Sequence, residues 1–141
     1  MSRSLALSPS QPSFPVNSVL HSVPDLSAVF NVFLMLAMAH FVGDFGLQSD
    51  RMAREKCPGC GVTLGWGWWL TSHAAIHGFL VGMVTQSPLL GVAEWVLHLL
   101  IDVGKCRRLW TLSFDQALHI ICKLLWAFLA IRQASSPLWF Q

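Results

Sequence analysis

The sequence predicts an all-α protein: a four-helix transmembrane bundle behind a disordered N-terminal arm. Three observations lead there. The chain of 141 residues is 54% hydrophobic and only 11% charged, against about 25% charged in soluble proteins. Its mean hydropathy is +0.55. It divides into four apolar stretches of roughly the 20 residues that a membrane-crossing helix needs, and each stretch carries one pair of polar residues four apart, which a helix places on a single face. A net charge of +2 is too small for a nucleic-acid binder. The length leaves no room for a substantial water-soluble domain beside the spans.

Residues 1–24 contain Pro9, Pro12, Pro15 and Pro24 among Ser and Gln, a composition that stays extended or disordered. The run Leu5 to Leu7 is too short for the apolar core of a signal peptide. His21 belongs to this arm and to solvent. The membrane domain is expected over residues 25–132, with a short tail over 133–141.

The first span runs from about Leu26 to Leu47. The second runs from about Trp66 to Thr85, and Trp66, Trp68 and Trp69 at its start suit the membrane interface. The third opens with Ser87 as N-cap and Pro88 in the first helical position and reaches about Lys105. The fourth runs from near Ser113 to near Ile131, its start matching the capping box Ser113-x-x-Gln116. Ala74, Gly78 and Gly82 form a small-residue stripe on the second span, which permits close helix packing.

Lys and Arg concentrate in the first loop (Arg51, Arg54, Lys56) and the third (Lys105, Arg107, Arg108). The positive-inside rule therefore predicts a multi-pass protein with loops one and three cytoplasmic and both termini outside. All four polar pairs then fall at the cytoplasmic ends of their helices. These pairs are His40 with Asp44, His73 with His77, His98 with Asp102, and Asp115 with His119. In symmetric antiparallel hairpins, at about 1.5 Å rise per residue, Asp44 sits level with His73, His40 with His77, Asp102 with Asp115 and His98 with His119. One layer deeper, Glu94 sits level with Lys123, giving two otherwise costly intramembrane charges a partner.

The strings His40-Phe-Val-Gly-Asp44-Phe-Gly-Leu-Gln48, His73-Ala-Ala-Ile-His77, His98-Leu-Leu-Ile-Asp102-Val-Gly-Lys105 and Asp115-Gln116-Ala-Leu-His119 resemble an uncharacterised bacterial and phage membrane-protein family, a domain of unknown function. The resemblance covers roughly residues 33 to 130 and implies a small multi-span inner-membrane protein. There is a weaker similarity to predicted membrane-bound metal-dependent hydrolases, which also place His and Asp on short helices; no catalytic assignment follows from it.

Five histidines and three aspartates at one depth suit a divalent transition metal: zinc, iron or manganese, as one ion or two. The candidate ligands are His40, Asp44, His73, His77, His98, Asp102, Asp115 and His119. Asp44, Asp102 and Asp115 are also the candidate catalytic groups, as a base or as partners that orient a histidine. Gln48, Lys105 and Gln116 are candidate ligand-contacting residues, although Gln48 and Gln116 at helix ends also suit capping and Lys105 suits snorkelling. With Arg107 and Arg108, Lys105 could attract an anionic lipid or a phosphate-bearing substrate.

The first function class is thus a membrane metalloenzyme that hydrolyses its substrate. The second is a non-catalytic assembly or interaction protein of phage or envelope type, whose polar layer only locks the bundle. A proton or ion path, or haem, is a further alternative; haem needs only two axial histidines and leaves six groups unexplained. Cys57-Pro-Gly-Cys60, with Cys106 as a third sulfur, could form a zinc site, but it lacks the four ligands that structural zinc takes. A reduced thiol pair in the cytoplasm is the plainer expectation. Cys122 reads as a small apolar filler. No G-x-S-x-G or P-loop string is present.

Overall fold

The computed structural model describes residues 25–135; the predicted N-terminal arm, with His21, and most of the tail lie outside the described residues. Among those described, all regular structure is helical. Helix α1, Leu26–Phe41, starts at Asp25, whose carboxylate accepts from the Ser27 amide, and it continues as a π-helical turn, Val42–Gly46. A short helix α2, Asp50–Glu55, follows in the first loop. The three long helices are α3, Trp66–Thr85, α4, Pro88–Cys106, and α5, Leu112–Ala134.

The four long elements therefore lie where the apolar stretches predict. Ser87 caps α4 through Leu90 N with Pro88 behind it, as its side-chain chemistry requires. The start of α5 differs from expectation. Thr111, not Ser113, is the N-cap and accepts from Phe114 N at 3.3 Å. The capping box does not form, and Gln116 turns both ends of its amide to His40 and Asp44 instead.

The helices close a ring in which α1 packs on α3 and α5, α3 on α4, and α4 on α5. The small-residue stripe acts as packing: a Cβ on Gly78 would lie 2.7 Å from the Gly91 carbonyl oxygen, so α3 and α4 meet backbone to backbone. An apolar end of the core is formed by Val29, Leu36, Val81, Leu90, Trp126 and Ala127. Elsewhere the polarity is reversed from that of a water-soluble protein. Among the described residues, buried polar and charged side chains outnumber buried apolar ones, whereas Phe30, Met38, Phe79, Met83, Val96, Leu100 and Leu124 face outward. Two helical segments, Leu26–Gly46 and Leu112–Ala134, are long and apolar enough to cross a membrane, with mean hydropathies of 1.9 and 1.5.

The first loop is organised by groups that a pattern of spans does not reveal. Glu55 is buried and collects four donors: Val62 N at 3.0 Å, Thr63 N at 2.9 Å, Thr63 Oγ1 at 2.8 Å and Trp69 Nε1 at 3.2 Å. These bonds, the Thr63 amide foremost, favour the ionised carboxylate and hold its pKa down to about 2. The cysteines also depart from expectation. Cys57 and Cys106 form a disulfide with a Cα–Cα separation of 5.3 Å, and Cys60 is free and exposed. The loop folds over the end of α4, so Cys57 meets a partner 49 residues away rather than its neighbour in the CxxC string. A reduced Cys57/Cys60 pair and a three-sulfur zinc site are both displaced by this bond.

Candidate metal centre

Each long helix delivers its polar pair to one place. The π turn at the end of α1 carries Asp44; such turns widen a helix by one residue, re-aim side chains and recur at functional sites. It also brings Gly43 against α3, where the absent side chain leaves room for His77: a Cβ there would lie 2.4 Å from His77 Cε1. Asp44 Oδ1 lies 3.1 Å from His77 Nε2 and 3.3 Å from His73 Nε2. His73 Nε2 in turn lies 3.2 Å from His98 Nε2 on α4 and 3.6 Å from Asp102 Oδ2. The His98 ring stacks between His77 and His119, with centroids 3.8 and 4.0 Å away. His119 Nε2 is 3.9 Å from both Asp102 Oδ1 and Asp115 Oδ1. The structure thus gathers all eight predicted His and Asp residues, and the hairpin levels inferred from numbering agree with these neighbours.

Burial decides what the cluster can be. Of the eight, all but Asp44 are almost completely shielded, and Asp44 is only slightly open. Buried polar atoms are normally paired, yet His40 Nδ1, His73 Nδ1, His119 Nδ1 and both ring nitrogens of His77 have no aligned hydrogen-bond partner. Three groupings place one donor atom from each member within 4.8 Å of the others: Asp44 with His73, His77 and His98; His40 with His98 and His119; and Asp102 with Asp115 and His119. Imidazole nitrogen and carboxylate oxygen are ligands for zinc, iron and manganese.

The surrounding groups fix these side chains. Gln116 Nε2 donates to Asp44 Oδ2 at 2.8 Å while its Oε1 lies 3.2 Å from His40 Nε2, so it clamps two candidate ligands. Behind His98, Glu94 Oε1 lies 3.1 Å from Nδ1 and also accepts from Lys123 Nζ, while Oε2 accepts from Trp126 Nε1 at 2.6 Å. A carboxylate on the far nitrogen of a ligating histidine sets its tautomer and orientation. Lys105, a candidate ligand-contacting residue, has its Nζ 3.4 Å from Asp115 Oδ2, with a third of the side chain exposed. Gln48 sits beside Asp44, in the amide orientation that donates to the Asp44 carbonyl at 3.2 Å and accepts from Lys56 Nζ at 2.9 Å.

Lys56 is the residue that sequence reasoning passed over. It is buried, and its Nζ donates to Asp102 Oδ2 at 2.7 Å. Read along the chain it is one cation of a charged loop; only the disulfide at Cys57 and the Glu55 anchor turn it inward. Trp126 is likewise absent from any polar pattern, although an indole in a buried apolar stretch calls for an acceptor.

Fold and site together define an all-helical protein with a sequestered basin of imidazoles and carboxylates able to hold a metal ion. The chain belongs to the DUF3307 family, described as a protein of unknown function, whose match extends over residues 32–141. No curated protein and no solved structure matches the chain.

Proposed function

We propose that this is a four-span membrane protein that holds a divalent transition metal at Asp44, His73, His77 and His98, and that it is a hydrolase. The observation that carries the metal reading is the convergence of those four donor atoms within 4.8 Å, with the buried Nδ1 atoms of His73 and His77 left without a hydrogen-bond partner. The outward apolar and inward polar faces of the helices support the bilayer setting. In α3 and α4, His73, His77, Glu94, His98 and Asp102 lower the apolar character, and these five are buried rather than presented to lipid.

When bound, the ion supplies Lewis-acid activation of a water or a substrate oxygen. The chain's own residues do the rest. Glu94 holds His98 by its far nitrogen, and Gln116 keeps Asp44 and His40 in register. Asp102 and Asp115, beside His119, are the carboxylates that would accept a proton at this site. We place this end of the bundle at the cytoplasmic face, on the Lys and Arg of loops one and three. The Cys57–Cys106 disulfide at the same end argues for the opposite face, because cytoplasmic thiols stay reduced. A reporter fused after Arg132 decides between them.

The test of the metal reading is elemental analysis of detergent-purified protein. It should show about one zinc, iron or manganese per chain, lost in His73→Ala and His98→Ala. A metal-free, normally folded protein favours the second reading, a non-catalytic membrane factor whose polar layer locks the helices. The Glu94, Lys123 and Trp126 network, complete without any ion, is the observation that supports this alternative.

A further inference from the structure

Cys57 has two cysteines within reach. It is bonded to Cys106 at the end of α4, with Cα atoms 5.3 Å apart, while Cys60, three residues on, is free and exposed. The segment Cys57-Pro58-Gly59-Cys60 is a tight turn. The Cys60 amide donates to the Cys57 carbonyl at 2.9 Å, Pro58 takes the first central position, and Gly59 takes the second with φ +83°. Proline followed by a left-handed glycine is the signature of a type II turn. Such a turn brings its outer Cα atoms within about 7 Å, and a disulfide spans about 4.4–6.8 Å. The turn thus holds Cys60 at bonding range of Cys57.

The two pairings differ in what they tie. The Cys57–Cys106 bond joins loop one to α4, and the Lys56–Asp102 ion pair at 2.7 Å runs beside it: Lys56 precedes Cys57, and Asp102 lies one helical turn before Cys106. A Cys57–Cys60 bond would stay inside the loop and leave α4 untied. The turn is held independently of α4, because Glu55 before it accepts from Val62 and Thr63 after it. It also has space, since a Cβ built on Gly59 meets nothing within 4 Å.

We propose that this corner is a thiol–disulfide exchange switch, in which Cys60 displaces Cys106 from Cys57 and so releases loop one from α4. The Cys60 thiolate attacks Cys57 Sγ, the Cys57–Cys106 bond breaks and a Cys57–Cys60 bond forms. Cys106 leaves as a thiolate and takes up from solvent the proton that Cys60 gave to it. One disulfide is consumed and one is made, so the step needs neither oxidant nor reductant. Attack goes to Cys57 because the turn places Cys60 beside that end of the bond. The Lys56–Asp102 pair, no longer backed by the covalent tie, is then free to open. The switch rests on neither the metal nor the hydrolase reading.

The experiment starts from full-length protein in detergent, purified in the Cys57–Cys106 form. It is held at mildly alkaline pH without added thiol and quenched with acid, and its disulfides are mapped by peptide mass spectrometry. The wild type should develop a Cys57–Cys60 bond together with free Cys106, whereas Cys106 should stay bonded in Cys60→Ser. In a second arm, Cys106→Ser exposed to glutathione disulfide should close the Cys57–Cys60 bond. Chains carrying that bond should be acylated at Lys56 by an amine reagent at least about tenfold faster than Cys60→Ser. A wild type in which Cys106 stays bonded, or in which a Cys60–Cys106 bond forms instead, overturns the proposal. So does a glutathione adduct that persists on Cys57 or Cys60 in Cys106→Ser. An unchanged Lys56 rate in the exchanged chains overturns the release of the loop.

Discussion

Replacing Gly43 by Ala tests the metal centre without removing a ligand. The added Cβ would lie 2.4 Å from His77 Cε1, 2.7 Å from Nε2 and 3.0 Å from Nδ1, so the ring must move by about 1 Å to reach ordinary contact. It has little room to do so, because the His98 ring stacks 3.8 Å away and those of His73 and His40 lie at 4.8 and 5.1 Å. Overpacking of this kind costs about 1–3 kcal/mol. The gain from replacing glycine within a helical stretch offsets about 0.5–1 kcal/mol of it. The fold should therefore survive with a modest loss of stability. Metal binding should suffer more, because ligand distances tolerate only about 0.2 Å and the required shift is several times that. A fall of roughly 10–100-fold in zinc affinity is expected, the range seen when groups supporting ligands are changed. Competition against a chromophoric chelator measures the affinity, and thermal unfolding with and without zinc measures the stability. An unchanged affinity, together with an unchanged stability increment from zinc, would refute His77 as a ligand.

Glu94→Ala leaves Lys123 as an unpaired buried charge and should cost about 3–5 kcal/mol, while Glu94→Ala with Lys123→Met should recover most of it; chemical denaturation in detergent measures both. Breaking the Cys57–Cys106 bond by Ser substitution should cost about 2–4 kcal/mol for a loop of this length, read as a lower unfolding midpoint that reductant no longer shifts. The Glu55 anchor carries a pH signature. Its folded pKa, about 2, lies below its ordinary value of 4.5. The stability it contributes is therefore fully present above the ordinary value and is lost as pH falls toward 2. Exchange protection of the Val62 and Thr63 amides should follow that course in the wild type and lose it in Glu55→Gln.

What the sequence discloses of this protein, and what it hides, divides along a physical line. The long helices are legible because each repeats its apolar character over many turns. The site is legible because a pair spaced four apart must share a face, so His73 and His77 could hardly diverge. The six-residue α2 is too short to display a period. The π turn at Asp44 has no compositional mark, since one added residue in a helical ladder changes no propensity. Thr111 and Ser113 are both favourable caps in isolation, and the contacts of Gln116 with His40 and Asp44 across the bundle, which set it apart from a capping box, are not visible along the chain. Lys56, Glu55 and the Cys57–Cys106 pairing are long-range facts, fixed by how a loop lies on a distant helix end.

On the membrane reading proposed above, the inward placement of every polar pair bears on how the chain enters a bilayer. Alone in lipid, α4 would present Glu94 and Asp102 to hydrocarbon, each acidic group costing up to about 2.5–3.5 kcal/mol at mid-depth. Packed on α3 through Gly78 and Gly91, and with Lys56 and Lys123 supplied by its neighbours, it presents neither. In the four-span protein proposed above, insertion should therefore be concerted, α4 entering with α3 and with α5, which carries Lys123. Glycosylation mapping of truncated chains would show this, with α4 retained only when α3 precedes it and α5 follows.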